Sequence, residues 1–265
     1  MNDLQNQVPQ LDAAHSWESR AEKPIDRRFF EFQFEVAKIL SRRSHAPLNQ
    51  TVGKYAPFII RNLLKPTEAI SGKPEEIPDN ILPEIMLDAA YKNYTTIGVS
   101  DRPIPYHEGR RFGCFAYDYH DKENAVELHF FNAEFDSIGP LSTKKISARR
   151  AEITDVMKAI RRDYPEAIEV RGRSWLYNFD AYQRLFPESY ISHMTPDKDE
   201  SSWIHGTRIW GQFMDSDNHL REDMTEKFLA SVQVLPVDQL MSALPAPPMI
   251  VSGPITDFYK FYGIE

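Results

Sequence analysis

The sequence predicts an α/β fold of the α+β kind: a mixed β-sheet covered by helices, behind a mostly helical N-terminal region. Three observations carry that expectation. First, Phe112 to Tyr119 and Ala125 to Asn132 are aromatic-rich alternating runs, joined by the polar stretch His120-Asp121-Lys122-Glu123-Asn124, which is the pattern of a β-hairpin. Second, Ile153, Val156, Met157, Ile160 and Tyr164 keep the three-to-four spacing of one apolar helical stripe. Third, strand and helix signals alternate from residue 112 onward, whereas the first hundred residues show almost only helical ones.

Taken in order, residues 1–24 lack periodicity and end in Lys23-Pro24, as a loose arm would. Residues 25–100 form the helical region. Asp26 suits the N-cap of a helix running to about Ser44. In that helix Phe29, Phe30, Phe32, Phe34, Val36, Ile39 and Leu40 cover more than one face, so it is expected to be buried on two sides or held by a partner. An acyl pocket is the other use open to its phenylalanines. Two further helices are expected near 52–64 and 80–94, the second capped by Asn80, with a polar linker from Pro66 to Pro78 between them.

Residues 101–265 form the mixed α/β domain, which opens at Arg102-Pro103-Ile104-Pro105. In the second hairpin run Val126, Leu128 and Phe130 share one face, and Glu127, His129 and Phe131 the other. A long helix follows from Ser142 or Ser147 to Asp163, stopped by Pro165. Ala167 to Arg171 reads as a strand, and Asn178 as the cap of a helix that Pro187 closes. Thr207 to Phe213 reads as another strand, Arg221 to Gln233 as a helix and Val237 to Leu244 as a short one. Pro248 to Ser252 is the last strand, and a final helix opens at Pro254 and ends at Gly263.

Composition bounds the function. With 42% apolar and 12% aromatic residues in a chain of 265, the protein is folded and has a large core. One cysteine, Cys114, excludes an internal disulfide and a cysteine-built zinc site; its alternating apolar setting points to a buried structural thiol. The eight histidines are scattered with no His-x-x-x-His pair, so no protein-built metal site is expected. Residues 176–265 carry 6 basic against 13 acidic side chains and so supply most of the net charge of −8, which argues against nucleic acid as a partner. Met1 to Ala21 is polar and mixed in charge, and no apolar run approaches the roughly 20 residues of a membrane span. A cytoplasmic protein that meets a small-molecule substrate or a protein partner, and no membrane, is the expectation.

No phosphate-cradling glycine motif is present. The nearest substitute is the loop Ser137-Ile138-Gly139-Pro140-Leu141-Ser142, where Gly139 and Ser142 precede a helix start carrying Lys144, Lys145, Arg149 and Arg150. His107-Glu108-Gly109-Arg110-Arg111 could grip a carboxylate or phosphate, or simply be a solvated loop. His129, beside Glu127 in sequence, is the best single acid or base, with a hydrogen-bonded structural role as the alternative. Gly172-Arg173-Ser174-Trp175-Leu176 lacks the second glycine of a nucleophile elbow, which leaves Ser174 between nucleophile and turn-capping roles. Arg171, Arg173 and Trp175 stand with it at the end of a strand, where α/β proteins bind ligands. Trp203, Trp210 and Tyr190 flank His193 and His205, as a ligand wall or as core.

Glu127-Leu128-His129-Phe130, Gly139-Pro140-Leu141-Ser142, Tyr164-Pro165 and Arg173-Ser174-Trp175-Leu176 follow one another in an order that resembles the GNAT-like C-terminal domain of bacterial acyltransferases, over about residues 110–215. That family has a strand with Leu-His-Ile-Pro, a Pro-Leu loop, a long helix and a His-Ser-Trp-Leu turn. Here Arg173 stands in place of its histidine and Phe131-Asn132 in place of its proline, and the Arg-x-x-Gly-x-Gly/Ala loop is lacking. The resemblance implies transfer of an acyl group from acyl-CoA, a cosubstrate rather than a covalent cofactor, to an amine or hydroxyl. His129 would then act as base or orient one, with Ser174 beside it. Gly139, Ser142, Lys144 and Lys145 would meet the carrier, and Glu127, Arg171, Arg173 and Trp175 the substrate. The alternative is a non-catalytic ligand- or protein-binding module on the same sheet.

Overall fold

The structure, a computed structural model, describes residues 25–63, 83–96, 111–134, 138–198, 207–215 and 218–264. The expected arm, the 66–78 linker, the Asn80 cap, the stretch 107–110 of the basic loop, Ser137, Trp203 and His205 lie outside those residues.

Helix α1 (Arg27–Ser44) begins where expected, because the Asp26 carboxylate accepts the Arg28 N–H at 3.0 Å and satisfies one of the otherwise unpaired first-turn donors. It is buried on two sides. Phe29 and Phe30 pack edge-on against Phe58, while Phe32 meets Trp210, Phe213 and Phe228 on the other flank. The stretch expected as one helix near 52–64 is two, α2 (Leu48–Tyr55) and α3 (Pro57–Leu63). Pro57 forbids a helical residue before it, and Ala56 accordingly sits at φ −127° and ψ 62°. Helix α4 (Pro83–Thr96) packs on α3 through the same aromatic cluster.

The first aromatic run breaks into β1 (Arg111–Phe112) and β2 (Phe115–His120), because Gly113-Cys114 forms a two-residue hairpin loop. Gly113 adopts φ +57°, and a Cβ there would fall 2.0 Å from Glu152 Oε1. Strand β3 (Ala125–Phe130) pairs antiparallel with β2. Helix α5 (Ile146–Asp163) follows a single 3₁₀ turn at Thr143–Lys145 and crosses to β4 (Glu169–Ser174), which lies parallel to β3. Strand β4 runs three residues past the expected end, so Gly172, Arg173 and Ser174 belong to it rather than to a turn. The four-residue helices α6 (Asp180–Gln183) and α7 (Glu188–Ile191) lead to β5 (Thr195–Pro196).

Two expectations are corrected. Asn178 caps no helix; its Nδ2 donates instead to the carbonyls of Trp175 and Pro247, and Phe179 occupies the cap of α6. Thr207 to Phe213 is helical, as α8 (Thr207–Trp210) and a 3₁₀ turn at Gly211–Phe213, not a strand. Its β-prone aromatics are overruled by tertiary packing, which draws Ile209, Trp210 and Phe213 onto α1. Helix α9 (Glu222–Val234) and the 3₁₀ segment Val237–Ala243 complete that cluster, so they and α8 share a core with the N-terminal helices. Arg28 reaches Glu222 at the head of α9, while Arg43 donates to the Val232 and Leu235 carbonyls at its tail.

Strand β6 (Met249–Pro254) then enters between β4 and β5, and α10 (Ile255–Tyr262) ends at Gly263, φ +63°. The sheet order is β1-β2-β3-β4-β6-β5, with β3–β4 its one parallel pair among the described strands. A second core packs α5, α10 and a tyrosine cluster on one face of this sheet. No described helix is long and apolar enough to cross a membrane.

Burial pushes the Asp26 carboxyl up, but the Arg28 N–H and guanidinium outweigh it and hold it below its ordinary 3.8. A depressed carboxyl stabilises the fold above its unfolded value and stops doing so as pH falls through the folded one. Asp26→Ala is therefore expected to cost about 1 kcal/mol at pH 7 by urea unfolding, and the gap between variant and parent to close on acidification below 3.8.

Candidate functional site

Alternation along three paired strands sorts the side chains by chemistry. Val126 and Leu128 of β3, Val170 of β4 and Val251 of β6 turn toward α5 and α10. Their neighbours Glu127, Arg171 and Ser252 stand in one row on the opposite face, with Arg173, Ile250 and Thr195 forming a parallel row. Between these rows lies a cleft of about 390 Å³, which His193 also lines. Its volume falls in the range of small-molecule sites.

Both arginines are anchored. Arg171 Nε donates to Glu169 Oε2 at 2.6 Å, and Arg173 Nε lies 3.2 Å from Asp197 Oδ2. The Asp197 side chain is only 2% exposed, so the guanidinium beside it offsets part of the cost of burying a carboxylate. Of the residues expected to meet substrate, the fold thus brings together Glu127, Arg171 and Arg173. Trp175 packs edge-on against Phe179 and does not line the cleft.

His129 occupies the polar face at 7% exposure, with Nε2 2.9 Å from Asp118 Oδ2 on the neighbouring strand. This residue is neither sealed in hydrocarbon nor part of the cleft lining. Ser174 Oγ accepts the Leu176 N–H at 3.1 Å and caps the 3₁₀ turn Trp175–Asn178, which is turn chemistry.

The Gly139–Lys145 loop heads α5, the helix on the apolar face, whereas the cleft opens on the other. Gly139 and Ser142 close a turn through the Ser142 N–H, and Lys144 is exposed. Lys145 Nζ lies 2.5 Å from Glu134 Oε2, inside an ionic cluster centred on buried Arg149. Arg149 binds Glu134 and Glu152 through Nη2 and the Cys114 sulfur through Nη1. Burial raises the Glu152 carboxyl despite the Cys114 N–H and Arg149, and pushes the Cys114 thiol up to about 11. The thiol therefore stays protonated at neutral pH and is structural, as its setting in the sequence suggested.

Sequence reasoning missed Ser252 and Thr195 in the cleft; His193, set in a stretch read as ligand wall or core, does line it. Nothing local marks Ser252 and Thr195, because β6 meets β4, and β5 meets β6, only through long-range pairing. Beneath the cleft Tyr177 and Tyr190 share a hydrogen bond of 3.0 Å. Burial holds both hydroxyls well above the ordinary tyrosine value, so they remain neutral.

No family model, no curated protein and no solved structure matches this chain.

The two arginines are expected to differ in stability effect. Arg173→Ala removes the guanidinium beside buried Asp197 and should cost about 1–3 kcal/mol in denaturant unfolding. Arg171→Ala, at a half-exposed pair, should cost about 1 kcal/mol or less.

Proposed function

We propose that this protein binds a small carboxylate-bearing molecule in the cleft bounded by β3, β4, β6 and β5. The observation that carries the proposal is the pair of arginines, each fixed through Nε by a carboxylate and each lining one cleft. Guanidinium forks match carboxylates in shape and charge. Holding Nε in advance removes rotamer freedom before the ligand arrives, so less is lost on binding. The Thr195 and Ser252 positions add hydroxyls that can donate or accept.

A second reading makes that ligand the acceptor of an acyl group from a CoA-type thioester. It is favoured by the succession β3, Pro-Leu loop, α5, β4 and Ser-Trp-Leu turn, the same order as in the acyltransferase domain the sequence resembles. The β3–β4 ladder also ends at Leu128–Gly172, two residues short of the end of each strand. Crevices past the carboxyl ends of parallel strands are common ligand sites in α/β sheets. In this role Glu127, which lines the cleft, would take the acceptor's proton, and His129 with Asp118 would position β3 against β2.

A thermal-shift screen at pH 7 tests both. At least one small carboxylic acid should raise the melting temperature through preferential binding to the native state, and Arg171→Ala should abolish the shift. Acyl transfer further requires a shift with acetyl-CoA. Failure of every acid to shift the melting point would refute the cleft assignment; acid binding with no response to acetyl-CoA would leave a binding module.

A further inference from the structure

We infer that the ligand of this cleft is a zwitterion of the α-amino-acid kind, carrying a carboxylate and an ammonium group a few ångströms apart. The inference rests on the carboxylate-binding reading above and narrows it.

Charge balance favours a guest that also carries a cation over a purely anionic one. Among the described residues that line or anchor the cleft, the guanidinium groups are those of Arg171 and Arg173, and beside them stand Glu169 and Asp197, which anchor them, and Glu127, which lines the same wall. Three carboxylates thus oppose two guanidinium groups. A phosphate ester would add negative charge to a site already holding a surplus. A simple carboxylate would lie against Glu127 as a like-charge neighbour, which destabilises both.

Register supplies the spacing. Glu127 and Arg171 are direct partners on adjacent parallel strands. Neighbouring strands lie roughly 4.8 Å apart, so a cation-seeking and an anion-seeking group project side by side from one wall. A ligand whose amine and carboxylate share one carbon spans such a pair. His120, whose Nε2 lies 3.5 Å from Glu127 Oε2, holds that carboxylate on its outer side. Ile250, 36% exposed on the facing strand, offers an apolar surface to the ligand's side chain.

Calorimetric titration of the full chain with matched pairs tests this: alanine with propionate, valine with isovalerate, and phenylalanine with hydrocinnamate. In at least one pair the amino acid should bind roughly tenfold more tightly than its deaminated partner, the factor expected of one charge-assisted hydrogen bond. Glu127→Gln keeps the side chain's shape while removing its charge. It should bring the two affinities of that pair within about twofold, chiefly by weakening the amino acid. Deaminated acids that bind as tightly as their amino acids would overturn the zwitterion while leaving the carboxylate site standing. A preference that survives Glu127→Gln would overturn it too. Silence from both members of every pair would remove the carboxylate site itself, and the inference with it.

Discussion

The period-two alternation of β3, β4 and β6, locked in register, is the constraint on which the other features depend. Slipping β3 or β4 by a single residue would drive Glu127 or Arg171 into the apolar core and expose a valine in its place. Two glycines help to hold the register. A Cβ on Gly172 would fall 2.0 Å from the Tyr177 hydroxyl oxygen, and one on Gly253 would press on Tyr190 at 3.2 Å. The buried tyrosine pair therefore fits only beneath these two positions. These two packing contacts tie the apolar face to the placement of charges on the other side.

That division gives the two faces different work. The apolar face contributes stability through burial under α5 and α10. The polar face carries ion pairs in which most partners are partly exposed, so their net contribution to folding is small. Charges that add little to stability but are held in fixed geometry suit recognition. Away from the cleft, Arg149 is a buried cation that binds Glu134 and Glu152 through Nη2 and the Cys114 sulfur through Nη1. Its cluster links the β1–β2 loop to the start of α5, so it fixes how the long helix meets the sheet rather than serving the cleft.

Much of this was legible beforehand, for local reasons. The Asp26 cap, the apolar stripe of α5, the opposed faces of β3 and the Gly263 terminus each follow from short-range rules, and each appears as expected. The Gly113 break within an aromatic run escaped notice because it depends on the close approach of Glu152 from α5. Thr207 to Phe213 escaped because the partner that makes it helical, α1, lies far back in the chain.

By itself the sequence determined the residue types and their alternation: Glu127 and His129 on one face of a strand, and a phenylalanine-rich helix that must be covered on both sides. Only the tertiary structure decided which strands became neighbours. Parallel pairing of β3 with β4 puts Glu127 beside Arg171, and the late arrival of β6 and β5 adds Ser252 and Thr195. It also set His129 against Asp118 and left Ser174 capping its own turn. The physical reason is that side-chain direction follows from backbone periodicity, which is local, whereas strand order is chosen by burial summed over the whole chain.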